Sequence, residues 1–209
     1  MSRSTASRDR LLEVAERLVY ERGYEAVGVA ELCRAAGIPK GSFYHWWDSK
    51  QALALAMLDR AWLATRAHIF EPAFGDPDLP LGEQIDRYTA ALGGRLDRHQ
   101  VLGGSVWGCI FGNLAAELAT RDPVVRARVD DVFAEMRTIF ADAIRRGIAR
   151  GELDPSVDPG TGALGLCAHM EGLMVLAKAS ADPGVIARLA PDARRLLGLP
   201  SQPSPDKEP

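Results

Sequence analysis

Apolar residues recur at helical spacing from the first stretch of the chain. Leu11, Leu12, Ala15, Leu18 and Val19 form one stripe between charged positions such as Arg8, Arg10, Glu13, Glu16 and Arg17. That pattern predicts a helix from about Ser7 to Arg22, stopped by Gly23. A shorter stripe, Val29, Leu32, Cys33 and Ala36, follows the link over residues 24–28 and ends at Gly37. Ile38 and Pro39 then open a third element whose apolar side is Phe43, Trp46 and Trp47. Proline presets φ for a first helical turn and loses no amide partner there. Helix, glycine-bearing turn and helix together predict a helix-turn-helix.

A fourth helix is expected from Asp48 and Ser49, whose oxygens suit an N-cap, along Leu53, Leu55, Ala56, Leu58, Trp62 and Leu63 to about Phe70. Pro72, Gly75, Pro77 and Pro80 then read as a loop. Further helices are expected from Gly82 to about His99, Cys109 to Arg121, Pro123 to Arg150, Pro159 to about Ala181 and Pro183 to Leu199. Three of these starts share one cue, Asp122-Pro123, Asp158-Pro159 and Asp182-Pro183, an acidic N-cap before proline at the first helical position. No strand-like alternation runs longer than a few residues, so the expected class is all-α with about nine helices. The expected organisation is a helix-turn-helix domain over residues 1–48, a second helical domain over 49–199, and a disordered tail over 200–209 that is too rich in proline and charge to bury anything.

With 209 residues, 47% of them hydrophobic and 25% charged, the chain can bury a sizeable core. No stretch approaches the roughly 20 uncharged apolar residues of a membrane span, and no signal-type apolar segment follows the first residues. A cytoplasmic protein without membrane attachment is therefore expected. Cys33, Cys109 and Cys167 are scattered and lack CxxC spacing, which argues against a disulfide framework or a zinc site. No metal and no cofactor are expected. The net charge of −3 hides a mild asymmetry, since residues 1–60 hold nine Lys/Arg against eight Asp/Glu and the remainder carries the acidic excess.

A helix that enters the DNA major groove must be slim at its N-terminus and present donors to phosphates and base edges. Lys40-Gly41-Ser42 meets that need, with Tyr44 and His45 one turn on and Lys50 just past the next helix start. The same groups also suit an ordinary solvated helix end. The order of the whole segment decides the matter: Glu21-Arg-Gly-Tyr24, Ala35-Ala-Gly-Ile-Pro-Lys-Gly-Ser-Phe-Tyr-His45 and Ser49-Lys-Gln-Ala-Leu53. From Arg10 to Leu58 the chain resembles the DNA-binding domain of the tetracycline-repressor (TetR) family. The resemblance implies that Lys40, Gly41, Ser42, Tyr44 and His45 form the recognition helix, with Tyr44, His45 and Lys50 reaching the phosphate backbone of double-stranded operator DNA. Where the family often has a capping Thr or Ser before the second helix, this chain has Gly28, which gives no side-chain contact.

The resemblance further implies a ligand-binding and dimerisation domain whose last two long helices pair with their copies, so that a homodimer meets a roughly palindromic operator. Residues 163–177 agree, being apolar nearly all round with small residues Gly162, Gly165, Ala168 and Gly172 along the helix. The helix start Trp107-Gly-Cys-Ile-Phe-Gly-Asn-Leu-Ala-Ala-Glu117, which mixes aromatics with a thiol, an amide and a carboxylate, resembles a branch of the family that includes N-ethylmaleimide- and acrylate-responsive repressors, and Lys178 sits where that branch carries a lysine. This implies an unknown small-molecule or electrophile inducer sensed by Cys109, with Lys178, Trp107, Phe111, Asn113, Trp62 and His169 as candidate sensing residues. A thiolate is the nucleophilic form, and a helix start near an ammonium favours it. The opposing reading is also open: Cys109 as a small buried hydrophobe, Lys178 as a solvated charge and His169 as a satisfied core residue.

Two other function classes fit the sequence less well. A thiol enzyme built on Cys109, His169 and Glu117 lacks any glycine-rich phosphate loop, metal-spaced histidines or nucleophile elbow, so no enzyme is expected. A helical interaction protein that lost DNA binding fits poorly with Lys40, Tyr44, His45 and Lys50 standing together.

Overall fold

Residues 3–200 are described by a computed structural model, and every regular element among them is helical. The expected disordered tail, beyond Pro200, lies outside the described residues. Helices α1 (Arg3–Arg22), α2 (Val29–Ala36) and α3 (Lys40–Trp46) follow the first three apolar stripes. α1 buries Leu11, Leu12, Ala15, Leu18 and Val19, and α2 buries Leu32, Cys33 and Ala36. Gly37 closes α2 at φ 66°, and the Ile38 amide reaches back to the Cys33 carbonyl at 2.9 Å, satisfying an otherwise orphaned acceptor. Pro39 stands one position outside the expected first turn. It is extended at ψ 143°, and its carbonyl accepts the Ser42 amide. The chain thus uses proline as the residue before the helix, where its fixed φ costs nothing.

Ser49 starts α4 (Lys50–Thr65), its Oγ accepting the Ala52 amide at 3.0 Å. The break expected after Phe70 does not occur. A π-helical turn over Arg66–Phe70 leads directly into α5 (Glu71–Phe74), which contains Pro72. In a regular helix the Pro72 ring would strike the carbonyl four residues back; widening by one residue relieves this, and the Glu71 amide bonds the Arg66 carbonyl instead. Burial of Ile69, Phe70, Ala73 and Phe74 holds the distorted turn in place.

The remaining elements are α6 (Leu81–Gly103), α7 (Ile110–Leu118), α8 (Pro123–Ala149), α9 (Pro159–Ser180), a 3-10 segment (Pro183–Arg188) and α10 (Leu189–Leu197). α6 runs past His99, and α7 is shorter than its apolar run, with Cys109 as the residue before it and a turn after Leu118. All three Asp-Pro starts work as expected. Asp122 accepts the Val124 and Val125 amides at 3.0 Å, Asp158 the Thr161 amide at 2.8 Å and Asp182 the Gly184 amide at 2.8 Å. Counted with the π and 3-10 segments as continuations, the described residues hold nine helices.

The chain divides into two compact units. The first comprises residues 1–64 with 109–132, so α7 and the opening of α8 belong with the N-terminal helices. The second comprises residues 65–108 with the described residues from 133 on. Its core is built on four rings, Phe70, Phe74, Tyr88 and Phe140, whose centroids lie between 5.2 and 6.1 Å apart. α9 buries Ala163, Leu166, Cys167, Met170, Leu173, Met174 and Ala177 in this unit while Leu164, Val175 and Leu176 stay exposed. By length and composition α9 is apolar enough to cross a membrane, although Glu171 interrupts it.

Candidate nucleic-acid interface and sensing residues

α3 carries two faces. Phe43 is fully buried and anchors the helix, with Trp47 buried just past its end beneath the Arg8 guanidinium, 5.2 Å from the ring. The opposite side presents Lys40, Gly41, Tyr44 and His45 to solvent, with Ser42 half-buried and Tyr44 51% exposed. An aromatic residue half in water on a seven-residue helix contributes little to the core, so its hydroxyl is available for a partner. Beside it lies an open depression of about 520 Å³ lined by Ser7, Gly37, Ile38, Pro39, Gly41, Ser42, His45 and Trp46. Backbone, imidazole and hydroxyl groups converge there at the slim end of the helix.

Lys50 is engaged differently. Its Nζ donates to the Tyr24 carbonyl at 2.6 Å and stands 3.9 Å from the centre of the Tyr24 ring. Burial lowers the Lys50 ammonium's pKa, against the opposing pull of Glu25 and Glu117. The Tyr24 hydroxyl is pushed up to about 12 by burial first and then by Glu25, Asp122 and Glu117. The backbone of the same turn is held by Glu117 of α7, whose Oε2 accepts the Tyr24 amide at 2.8 Å and whose Oε1 accepts the Glu25 amide at 2.7 Å. Gly23 makes this approach possible: it has φ 85°, and a Cβ there would lie 3.3 Å from both Glu117 oxygens. Nearby, Gln51 of α4 donates to both oxygens of Asp122 at 3.0 and 2.9 Å. The Val125 amide first, and then those bonds from Gln51, hold the Asp122 carboxyl below its usual range. From the sequence, Glu117 stands out as the carboxylate of the helix start at Trp107 and as a candidate for a thiol triad, not as a partner of the turn after α1. The signal that marks it is its isolation, as the one charged residue in Ile110–Leu118.

The sensing candidates fall in both units. In the first, Cys109 is buried and precedes α7 in extended conformation, its carbonyl accepting the Asn113 amide at 2.9 Å. Phe111 and Trp62 are buried and meet edge to face at 6.1 Å, and Asn113 is half-buried. In the second, Trp107 is half-buried, stacks on His99 at 4.7 Å and donates its indole N–H to Ser105 at 3.0 Å. Lys178 is exposed, and its aliphatic chain lies against Gly108, where a Cβ would come within 3.4 Å of its Cδ. His169 faces Asp192 of α10 at 3.4 Å. Asp192 also takes Arg188 and Arg195, so this cluster ties the 3-10 segment and α10 to α9. The other two cysteines make poor nucleophiles. Burial raises the Cys33 thiol's pKa, and burial followed by Glu171 pushes the Cys167 thiol up to about 11.

A helix-turn-helix with a polar third-helix face, followed by an all-helical unit, defines a DNA-binding transcriptional regulator. Residues 11–57 match the bacterial regulatory proteins of the tetR family, and residues 85–191 match the tetracyclin repressor-like C-terminal domain. The chain belongs to the TetR family. It is similar to the transcriptional regulator AcuR of Cereibacter sphaeroides, 32% identical over 163 residues that cover 78% of this chain and 72% of that protein. It is also similar to the HTH-type transcriptional repressor NemR of Escherichia coli strain K12, 30% identical over 68% of each chain. Among solved structures, the regulatory protein TetR from Rhodobacter sphaeroides has a TM-score of 0.80 at 27% identity, covering 91% of this chain and 98% of its own. The reduced form of E. coli NemR has a TM-score of 0.78 at 26% identity, covering 94% and 99%.

Proposed function

We propose that this regulator is a cytoplasmic repressor that holds a roughly palindromic operator as a homodimer and is released by a small-molecule inducer or by covalent modification of Cys109. The observation that carries the DNA part is the two-faced α3, anchored by Phe43 and offering Lys40, Tyr44 and His45 outward with Ser42 half-buried beside them. In the repressed state two such helices are held roughly 34–36 Å apart, one turn of DNA. Lys50 supports this surface from behind, as a brace on Tyr24. The exposed Leu164, Val175 and Leu176 of α9 and Leu196 of α10 support pairing of two copies, as apolar side chains that a partner's helices would cover. Repression, rather than activation, is supported by the name that NemR bears. No catalytic step is assigned to the chain.

The sensing part rests on Cys109 at the start of α7 and on its likeness to the electrophile-responsive branch. Cys33 and Cys167 are held as thiols by burial, and Cys109, also buried, differs from them in standing at a helix start. The test is fluorescence anisotropy on a duplex taken from upstream of the regulator's own gene. Affinity should fall at least about a hundred-fold between 50 and 200 mM salt if several phosphates are neutralised. Lys40→Ala should weaken binding about ten-fold or less while sedimentation still reports a dimer, and retained affinity would count against α3 as the reading helix. N-ethylmaleimide should release the wild-type protein and not Cys109→Ser. Equal release of both abandons the cysteine sensor and leaves the repressor standing.

A further inference from the structure

We propose that Glu117 is the positioning residue through which α7 sets, and reports on, the geometry of the DNA-binding helices. This rests on the reading of the chain as an operator-binding regulator. α7 is otherwise apolar: Ile110, Phe111, Leu114 and Leu118 are buried and pack without directional preference. Its single charged side chain carries the orientation. Both carboxylate oxygens are used, one on the Tyr24 amide and one on the Glu25 amide, at 2.8 and 2.7 Å. Two successive amides following a glycine at φ 85° make a concave anion cradle, and here the anion is supplied by another helix of the same unit.

The cradle is the turn that joins α1 to α2, so whatever fixes it fixes where α2 begins. α2 runs through the closed turn at Gly37 into α3. The same turn is gripped on its other side by Lys50, through the Tyr24 carbonyl and ring. Tyr24 is itself buried, so the turn has no slack to absorb a shift. Charge-assisted bonds weaken steeply with angle and distance. Because both oxygens are committed, a rotation or small translation of α7 breaks the two together rather than one at a time. A displacement that begins at Cys109, the residue before α7, therefore reaches α3 through the turn over residues 23–28, and operator binding reaches α7 by the same route because coupling is reciprocal.

The test uses the full-length protein, the upstream duplex and hydrogen exchange read by mass spectrometry. In the wild type, saturating duplex should slow exchange in peptides covering Ile110–Leu118 about five-fold or more. Glu117→Gln keeps size and helix propensity but turns an NH2 toward one of the two amides. It should speed exchange at Tyr24 and Glu25 about ten-fold, weaken DNA binding about five- to twenty-fold and abolish the α7 response to DNA. A merely structural Glu117 would lower affinity and leave that response intact. Full retention of the response in Glu117→Gln, or no response in the wild type, overturns the proposal. The wild-type measurement decides even if the variant fails to fold. Failure of the wild-type protein to bind any DNA instead overturns the operator reading, and is recognised by the anisotropy signal before any exchange is measured.

Discussion

The two units are held by different physics. In the unit that carries α1 to α3, the critical turn is fixed by a handful of directional bonds from single side chains, the Tyr24 and Glu25 amides donating to Glu117 and Lys50 donating to the Tyr24 carbonyl. In the second unit, Phe70, Phe74, Tyr88 and Phe140 pack mutually, every pair within ring contact. Aromatic packing is broad and tolerant in direction but costly to lose, whereas polar bonds to a backbone turn are individually modest and sharply dependent on geometry. A regulator needs both. The second kind lets one helix movement change a binding surface without unfolding anything.

The contrast is broken if the aromatic unit is not the stability reservoir. Phe140→Ala should cost about 3–5 kcal/mol, by lost transfer energy plus the cavity left among three remaining rings. Urea unfolding of the full chain measures it, and a loss smaller than that of Glu117→Gln in the same assay would invert the comparison. A smaller effect sharpens it at the turn. Gly23→Ala should cost about 2 kcal/mol, since it combines a left-handed φ with a Cβ pressed on the Glu117 carboxylate, while Gly37→Ala meets an open site and should cost about 1 kcal/mol from φ alone. Only Gly23→Ala should also weaken operator binding. Equal effects on affinity would mean that the Glu117 contact is incidental.

An effect of similar size concerns a polar group inside the aromatic-rich unit. His99 stacks on Trp107, and burial, then Arg95 and Arg98, push its imidazole down to about 4. Its folded pKa lies below the unfolded value of 6.5, so between those values the unfolded chain binds a proton that the folded chain refuses. Stability from neutral His99 is therefore complete above about pH 6.5 and declines as pH falls toward 4. Between pH 7.5 and 5 the loss should be about 1–2 kcal/mol after allowance for solvent screening, and His99→Gln should flatten it. An unchanged pH slope in that variant would place the acid sensitivity elsewhere.

Local rules carried most of the fold. The stripe Leu11 to Val19, the stop at Gly37 and the three Asp-Pro starts each depend on residues within one or two turns of one another, so sequence order alone displayed them. Pro72 misled for an equally local reason. Proline ordinarily ends a helix, and only burial of Ile69, Phe70, Ala73 and Phe74 made a π turn the better solution. The proposed recognition segment was legible because its chemistry lies in contiguous residues, Lys40 to His45, and because that order resembles a known family.

What contiguous residues could not display is the support behind that segment. Glu117 stands ninety-three residues from the amide of Tyr24 that it accepts, and Asp122 seventy-one from Gln51. A carboxylate in a sequence carries no mark of which distant amide it will meet, because that partner is chosen when apolar faces pack and the remaining polar groups must be satisfied. By itself the sequence determined most of the helices, the three Asp-Pro starts and the polar face of α3. The tertiary structure alone decided that α7 belongs with those helices, and that its one charge closes on the turn that aims them.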